Sequence, residues 1–295
     1  MKATTRLRTL LNSGTLLMAP GVADAVNARL VREAGFDAIY MTGAGTTASR
    51  LGMPDVGLLT MTEMVDNAGR IADASGLPLI SDADTGYGGP ANVARTVRAH
   101  ERAGTAGIHL EDQQSPKRCG HFSGKTLVPV AEAAAKIRAA VDSRTDPDFV
   151  IIARTDAIAV EGFDAALDRA RAYEAAGADV IFVEAPTTME QCAAIPKAFK
   201  VPALFNMASS GKTPFLPADQ LQDLGYRLAI YPNFLMLAAI VAARRVLSEL
   251  KRTGTVAHIV PELPRFNEFV DLMGMKELRE FEERYVTDPD ARAGY

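Results

Sequence analysis

The chain has 295 residues, 48% of them hydrophobic and 23% charged, which is typical of a globular protein with a full core and excludes extended disorder. The formal net charge is −4, and the lysines and arginines are scattered, which excludes a basic surface for nucleic acid. Two distant cysteines, Cys119 and Cys192, indicate neither a disulfide framework nor a metal site, so we expect a reducing cytoplasm.

The N-terminal sequence MKATTRLRTLLNSGTLLMAP is basic, but its apolar run is short and no small-residue cleavage site follows, which argues against a signal peptide. The most apolar segment, FLMLAAIVAA, is about half the length that a membrane span needs, and Arg244 and Arg245 follow it. We therefore expect a buried helix there and no membrane partner.

Eight short apolar runs follow one another along the chain, separated by helical patterns such as GFDAALDRARAYEAAGA. Four of them come after a glycine suited to the left-handed cap of a helix, as in EAGFDAIYM, which indicates a repeated helix-to-strand joint. Because no Pro/Gly/Ser-rich linker interrupts the alternation, it predicts one (β/α)8 barrel of the α/β class. In chain order the runs are LLMAP, AIYM, LPLISDAD, IHLED, FVIIARTDA, VIFVEAP, VPALFNMA and LAIYP.

The tail from Phe234 to Tyr295 lies beyond the eighth run and is helical in pattern. We therefore predict a single domain over residues 1–295, with residues 234–295 as a C-terminal helical segment.

The active site of such a barrel lies at the C-terminal ends of the strands, so polar residues just after the apolar runs are candidates. They are Tyr40, Thr42, Asp82, Asp84, His109, Glu111, Arg154, Asp156, Glu184 and Asn206.

The sequence TGAGTTA after the second run matches the G-x-G-x-x-G/A fingerprint of a dinucleotide-binding turn. Such a turn must open a sustained helix, whereas SRLGMPDVG places Gly and Pro within the next few residues. We interpret the stretch instead as a loop whose backbone amides hold a carboxylate.

Asp82 and Asp84 in SDADTGYG are two residues apart at a strand end, so their side chains should point the same way, toward the barrel mouth. Two like charges there require a cation, and Mg²⁺, which keeps several waters, suits a sparse carboxylate set. Glu111 and Asp55 are candidates for its outer sphere. The alternative is that the aspartates cap the next helix near Asn92.

Cys119 lies in the polar stretch SPKRCGHFSGK, which is too hydrophilic to be core and is expected to form a mobile loop. Lys117, Arg118 and His121 would lower the pKa of its thiol, making Cys119 either a nucleophile or a proton donor and acceptor. Zinc is disfavoured because no second cysteine or close histidine pair accompanies it. Cys192, in a helical pattern, is expected to pack in the core.

Arg154 in IIARTDA emerges from an apolar run, where an unpaired charge is costly, so it needs an anionic partner. That partner is Glu184, Asp156 or a substrate carboxylate, and a purely structural ion pair is the alternative. The isolated histidines His100 and His109 are expected to be structural.

These stretches, together with NMASSGKTP, resemble the isocitrate lyase and phosphoenolpyruvate mutase superfamily from about Leu16 to the tail, and Lys-Arg-Cys-Gly-His is specific to its carbon–carbon lyase branch. The resemblance implies a barrel whose last helix swaps between neighbours, in dimers that pair into homotetramers. It also implies Mg²⁺ at Asp82 and Asp84, with Mn²⁺ as an alternative ion and Asp55 in its outer sphere.

The resemblance further implies that the substrate is a small carboxylate. Its binding residues would be Thr42, Gly43, Ala44, Gly120, Arg154, Glu184 and Asn206, the first three through their amides. The catalytic residues would be Cys119 on a gating loop, Lys117, Arg118, His121, Glu111 and Tyr40.

The implied reaction is Mg²⁺-dependent cleavage of a 2-hydroxy di- or tricarboxylate to a 2-keto acid such as pyruvate and a carboxylate. The thiol of Cys119 would protonate the leaving enediolate on the closed loop. The alternatives are a carboxyphosphonoenolpyruvate or phosphoenolpyruvate mutase, or an oxaloacetate decarboxylase, in which the thiol should matter less. A non-catalytic barrel is disfavoured by the complete polar ring.

Two positions depart from the methylisocitrate lyase pattern, which has Thr two residues after the Asn of the seventh strand and Arg shortly after the Tyr-Pro of the eighth. Here the first place is Ala208, and the residues near Leu237 are apolar. The departures favour a dicarboxylate, and the sequence looks closer to 2,3-dimethylmalate lyases, petal-death-type lyases and carboxyphosphonoenolpyruvate mutases.

Overall fold

The structure is a computed structural model that describes residues 1–120, 124–209 and 212–285. Over these residues eight parallel strands form one closed barrel in chain order, which confirms the predicted (β/α)8 fold. The strands are β1 (Leu17–Val22), β2 (Ile39–Met41), β3 (Leu79–Asp82), β4 (Gly107–Glu111), β5 (Val150–Thr155), β6 (Val180–Val183), β7 (Ala203–Asn206) and β8 (Leu228–Tyr231).

Helices precede, connect and follow the strands, and short 3₁₀ turns lie at Ala157–Ala159, Ile195–Lys197 and Val260–Glu262. In the described ranges the α-helices are α1 (Ala3–Leu11), α2 (Ala25–Glu33), α3 (Gly43–Leu51), α4 (Met61–Ser75), α5 (Pro90–Arg102), α6 (Val130–Ser143), α7 (Phe163–Ala175), α8 (Met189–Ala194), α9 (Ala218–Leu224), α10 (Phe234–Thr253), α11 (Phe266–Leu272) and α12 (Met275–Glu282).

The four predicted helix-to-strand joints are turned by glycines in the left-handed region. Gly35, Gly104, Gly177 and Gly225 have φ values of 81°, 84°, 99° and 107°. A side chain at these positions would be strained, so glycine lets each helix stop and the chain turn directly into the next strand.

The barrel interior is filled by inward-facing apolar side chains of the strands. Leu7 and Leu11 of α1 belong to the same buried cluster, so α1 closes the N-terminal end of the barrel. At the other end the cluster finishes with Tyr40 and Phe182, which form the floor beneath the strand ends. Helix α1 thus closes one end of the barrel, and the polar strand ends lie at the other end, where barrels of this kind bind their ligands.

The chain divides into two compact units, Met1–Met236 and a second unit that begins at Leu237. In the second unit several large apolar side chains are exposed, among them Val241 at 68% and Phe266 at 70%. The expectation of a buried helix over FLMLAAIVAA is wrong for the isolated chain, because no residue of α10 is buried. Exposed apolar surface of this kind is typical of an interface. The swapped helix and the single domain of residues 1–295 stay predictions. Over the described residues no helix is both long and apolar enough to cross a membrane.

Candidate active site

A cleft opens at the C-terminal ends of the strands, and its empty space, counted together with the open solvent at its mouth, is ≈ 430 Å³. Predicted site residues make up most of its lining. Gly43, Asp84, Glu111 and Arg118 are not among the described lining residues, and His121 lies outside the residues that the structure describes. The cleft is lined by Tyr40, Thr42, Ala44, Asp55, Asp82, Lys117, Cys119, Gly120, Arg154, Glu184, Asn206, Ala208, Pro232 and Asn233.

Arg154 near the end of β5 is held by carboxylates of the protein. Its Nε and Nη2 donate to Asp156 Oδ2 and Oδ1 at 3.0 and 3.1 Å. Nη2 also lies 3.3 Å from Glu184 Oε2, and Nε lies 3.4 Å from Glu111 Oε2. Burial opposes the charge, but the three carboxylates outweigh it and raise the pKa of Arg154 well above its usual value. A permanently charged, oriented guanidinium therefore lines the cleft, as carboxylate recognition requires.

Three aspartates, Asp55, Asp82 and Asp84, form an acidic wall around the ammonium of Lys117. Lys117 Nζ lies 2.6 Å from Asp55 Oδ1 and 2.8 Å from Asp84 Oδ1. Burial, together with Asp82 and Asp55, raises the pKa of Asp84 to about 6 even though Lys117 opposes the shift. For Asp82 burial also opposes ionisation, yet nearby positive charge holds its pKa below the usual value. At Asp84, therefore, the one ammonium of Lys117 does not offset burial and the two neighbouring carboxylates.

The two aspartates converge through a turn and not through strand alternation, which corrects the reason given by the sequence. Strand β3 ends at Asp82, and Asp84 adopts φ 46° in the left-handed region. The Asp84 amide donates to Asp82 Oδ1 at 2.9 Å and so stabilises this conformation. The capping alternative is wrong, because the Gly89 amide before α5 donates to Asn92 Oδ1 instead.

The acidic wall fits a hard divalent cation. Asp84 Oδ1 is buried without a hydrogen bond of good geometry despite its ion pair with Lys117, and Glu111 Oε1 is buried without a hydrogen bond. Across residues 1–120, 124–209 and 212–285 no group of three or more His, Cys, Asp or Glu side chains is arranged to hold an ion. Such a sparse set suits Mg²⁺, which retains several waters, better than a metal that needs a closed cage.

Cys119 is half-buried and reaches the cleft, and main-chain contacts hold its segment. Its amide donates to Asp55 O at 3.2 Å. The buried side-chain amide of Gln113 donates to Arg118 O at 2.8 Å and accepts from Arg118 N at 2.9 Å. Lys117 pairs with Asp55 and Asp84, so carboxylates balance its charge, and its effect on the thiol of Cys119 stays a prediction.

The stretch predicted as an anion-binding loop is the first turn of helix α3, a correction to the sequence analysis. Thr42 is its N-cap, and Thr42 Oγ1 accepts from Gly45 N at 3.2 Å. The Thr42 amide donates to Val22 O, so Gly43 and Ala44 supply the first-turn amides that remain for an anion. A Cβ on Gly43 would lie 2.4 Å from Asp82 Oδ2, which explains glycine there.

Tyr40 and His109 form the polar floor of the cleft. A hydrogen bond of 2.8 Å joins Tyr40 Oη to His109 Nε2, which also lies 3.6 Å from Asp82 Oδ1. Burial lowers the pKa of His109 to about 4 and raises that of Tyr40 well above its usual value. Both side chains are therefore neutral near pH 7, and they act on the site through hydrogen bonds.

Glu184 and Asn206 form the opposite wall. Asn206 Nδ2 donates to Glu184 Oε1 and Oε2 at 3.2 and 3.1 Å, which leaves the buried Asn206 Oδ1 without a hydrogen bond. Glu111, by contrast, lines a smaller cavity behind Arg154 together with Tyr173.

The sequence analysis missed three residues of the site. Pro232 and Asn233 follow β8 and line the cleft, and Thr42 Oγ1 donates to Asn233 Oδ1 at 3.1 Å. The strand-end rule applied to the eighth run would have found both. Lys125, buried beside Asp156, carries no comparable sequence signal.

Comparison with known proteins identifies relatives over nearly the whole chain. Residues 7–251 match the family model described as phosphoenolpyruvate phosphomutase. The chain is 47% identical to a 2,3-dimethylmalate lyase of Eubacterium barkeri, over 97% of this chain and 99% of that protein. It is 44% identical to a 2-methylisocitrate lyase of Aeropyrum pernix, over 91% of this chain and 86% of that protein.

Solved structures of similar proteins superpose closely. A 2,3-dimethylmalate lyase, a member of the PEP mutase/isocitrate lyase superfamily, matches with a TM-score of 0.94 and 38% identity over 100% and 99% of the two chains. An oxaloacetate acetylhydrolase bound to 3,3-difluorooxalacetate matches with 0.91 and 41% over 96% and 97%. A phosphonopyruvate hydrolase bound to oxalate and Mg²⁺ matches with 0.88 and 34% over 97% and 99%.

Proposed function

Because the chain belongs to the phosphoenolpyruvate mutase/isocitrate lyase superfamily, we propose that it is a Mg²⁺-dependent carbon–carbon lyase. Its substrate is a 2-hydroxy di- or tricarboxylate of the 2-alkylmalate or methylisocitrate type, which it cleaves to a 2-keto acid such as pyruvate and a carboxylate. The observation that carries the proposal is that a thiol, Cys119, a carboxylate-binding cation, Arg154, and the acidic residue Asp82 line one cleft.

In this proposal Asp82 and Asp84 hold Mg²⁺ or Mn²⁺, with Asp55 and Glu111 in the outer sphere of the ion. When bound, the ion would acidify the substrate hydroxyl and stabilise charge on the oxygen that becomes the keto group. Lys117 orients Asp55 and Asp84 through its ion pairs of 2.6 and 2.8 Å.

Two features bind the carboxylates of the substrate. Asp156 fixes the plane of the Arg154 guanidinium, whose N–H groups would donate to one substrate carboxylate. The amides of Gly43 and Ala44 at the start of α3 donate to another, where the helix dipole also favours negative charge. Glu184 and Asn206 complete the wall beside the bond that breaks.

Cys119 acts as the proton donor to carbon. Cleavage leaves an electron pair on the carbon of the departing carboxylate, and the thiol delivers a proton to that carbon before water does. Its half-buried position at the cleft suits this role, because at an exposed position water would compete with the thiol as the proton donor. Arg118 and His121 would balance the thiolate that remains.

A second candidate function is the processing of oxaloacetate. A mutase that acts on phosphorus–carbon bonds belongs to the same alternative. The similarity to an oxaloacetate acetylhydrolase, with a TM-score of 0.91, favours this candidate. In a mutase the enolate carbon bonds to the migrating phosphoryl group and takes no proton, so the thiol should be dispensable. In a decarboxylase the carbon of the pyruvate enolate still takes a proton, but solvent can supply it, so the thiol should matter less.

The experiment that tests the proposal is product analysis by NMR with Mg²⁺ over a substrate panel. The panel contains 2,3-dimethylmalate and other 2-alkylmalates, methylisocitrate, isocitrate and oxaloacetate. The lyase proposal predicts that a 2-hydroxy acid is cleaved fastest, with equal amounts of keto acid and carboxylate. Turnover of oxaloacetate alone would establish the second candidate and overturn the first.

We also propose that the enzyme acts in the cytoplasm as a homotetramer, a dimer of dimers. The exposed apolar side chains of the second unit, such as Val241 and Phe266, support an assembly in which they are covered. Light scattering coupled to size-exclusion chromatography checks the assembly, and a monomer at micromolar concentration would contradict it.

A further inference from the structure

We propose that Lys125 is a positioning residue of this site, which acts on Arg154 through Asp156 and on the Cys119 segment through the Gly120 carbonyl. The proposal rests on the proposed function, since it assigns to Arg154 the binding of a substrate carboxylate. Lys125 is not among the described residues that line the cleft, so it is not itself a ligand of the substrate.

The burial of Lys125 is the first observation. Its side chain is 2% exposed, which is rare for a lysine and tolerated only where the ammonium is paired and hydrogen-bonded. Lys125 Nζ lies 3.1 Å from Asp156 Oδ1 and donates to the Gly120 carbonyl. The ammonium of Lys125 therefore interacts with two groups of the site, Asp156 and the Gly120 carbonyl.

Asp156 is shared between two cations. Its Oδ1 accepts from Lys125 Nζ and from Arg154 Nη2, both at 3.1 Å, and its Oδ2 accepts from Arg154 Nε at 3.0 Å. Arg154 also faces Glu184 and Glu111, so three carboxylates surround one guanidinium. Lys125 supplies a second positive charge and so reduces the negative charge that an incoming carboxylate would meet around Arg154.

Asp156 itself is fixed from behind, so the contact with Lys125 has a defined position. The Asp156 amide donates to Asp112 Oδ1 at 3.0 Å. Asp112 Oδ2 in turn accepts from Thr155 Oγ1 at 2.7 Å and from Tyr173 Oη at 2.8 Å. Because these contacts hold Asp156 in place, the position of Lys125 affects the position of Arg154 through the Asp156 carboxylate.

The second contact of Lys125 sets the backbone beside the thiol. A Cβ on Gly120 would lie 2.2 Å from Arg154 Nη2 and 2.9 Å from Glu184 Cγ, so the Gly120 backbone packs directly against the guanidinium. Because Gly120 follows Cys119, a lysine that holds the Gly120 carbonyl also restricts where the thiol lies.

The test compares Lys125→Met and Lys125→Arg with the wild type and with Lys200→Met, a control at an exposed lysine. Two readouts are measured on the full chain: the Kd of oxalate with Mg²⁺ by calorimetry, and the rate of Cys119 alkylation by iodoacetamide without ligand. Buried Cys192 serves as the internal reference thiol, and circular dichroism checks the fold.

We expect Lys125→Met to weaken oxalate binding roughly tenfold or more and to speed Cys119 alkylation several-fold, because a buried charge pair loses one partner. Lys125→Arg should restore part of the oxalate affinity, and Lys200→Met should match the wild type. A Lys125→Met protein that matches the wild type in both readouts overturns the proposal. Where the wild type itself does not bind oxalate, an unchanged alkylation rate overturns it.

Lys125→Gln keeps the proposal testable if Lys125→Met does not fold. The amide can still donate to the Gly120 carbonyl but carries no charge, so oxalate binding should weaken while alkylation stays near the wild-type rate. Wild-type oxalate affinity in this variant overturns the proposal. Neither readout requires turnover, so an enzyme that cleaves no 2-hydroxy acid but shows both effects refutes the proposed function and leaves the role of Lys125 intact.

Discussion

At the scale of single residues, the proposal that Arg154 binds a substrate carboxylate makes a specific prediction. The guanidinium uses Nε and Nη2 together to bind Asp156. A lysine offers one ammonium with no fork, so Arg154→Lys cannot keep this plane and bind a substrate carboxylate as well. We expect kcat/KM to fall by about a hundredfold or more, whereas Arg171→Lys, at an exposed position, should leave it unchanged. Steady-state kinetics checks this, and a loss below threefold would contradict it.

The identity of the site residues could be predicted from the sequence, but the pairing among them could not. Polar residues at strand ends must lie together in a barrel, which is why Arg154, Asp82 and Glu184 were found. The ion pairs of Lys117 with Asp55 and Asp84 join residues far apart in the sequence, and no local pattern encodes such a contact. The sequence could therefore not show that Lys117 pairs with these carboxylates.

At the scale of secondary-structure elements, helix α5 contains a buried histidine that makes stability depend on pH. His100 is fully buried, its Nδ1 lies 3.4 Å from Thr105 Oγ1, and its Nε2 has no hydrogen bond in the described residues. Burial lowers the pKa of His100 from 6.5 to about 4. Between these values the unfolded chain binds a proton that the folded chain does not, so stability falls as the pH drops from 6.5 toward 4.

The predicted contribution of His100 at pH 5 is about 2 kcal/mol of lost stability relative to pH 7. Urea unfolding at both pH values, compared between wild type and His100→Gln, measures it independently of any constant effect of the substitution. The variant should lose about 2 kcal/mol less than the wild type on acidification. Equal losses in wild type and His100→Gln would show that His100 does not titrate as described.

Most elements could be predicted because their signals are local. The glycines of the joints, such as Gly35 and Gly177, mark helix ends wherever they occur, and the apolar runs identify all eight strands. Helix α3 was missed because Gly52 and Pro54 suggested a loop, whereas the Thr42 cap suffices for a helix of nine residues before Gly52 ends it. The left-handed Asp84 was also missed, since its conformation depends on the Asp82 side chain.

At the scale of the whole molecule, the lining of the cleft predicts substrate preference. Ala208 and Pro232 line the cleft and offer neither a cation nor a hydroxyl to a third carboxylate. Desolvating that carboxylate without a partner costs several kcal/mol, which corresponds to a loss in kcat/KM on the order of a thousandfold. We therefore expect 2,3-dimethylmalate to be preferred to methylisocitrate, with loose selectivity among alkylmalates because each methylene contributes only roughly 1–3 kcal/mol.

The comparison of kcat/KM for the two substrates, with pyruvate followed by lactate dehydrogenase, checks this preference. A tenfold or greater advantage of methylisocitrate would contradict it. Asn233, which also lines the cleft, is then the first residue to test as the partner of the third carboxylate.

The central claim is that Cys119 gives a proton to carbon during a metal-dependent cleavage. The most direct measurement follows 2,3-dimethylmalate in D₂O with Mg²⁺ by NMR, for wild type, Cys119→Ser and EDTA-treated wild type. Wild type should give equal amounts of pyruvate and propionate, the latter with one deuterium beside its carboxylate. Cys119→Ser should fold and bind oxalate yet turn over slower by roughly three orders of magnitude or more, because a serine hydroxyl is far less acidic than a thiol. Metal-free enzyme should be inactive. An unchanged rate in Cys119→Ser, or full activity without metal, would contradict the account.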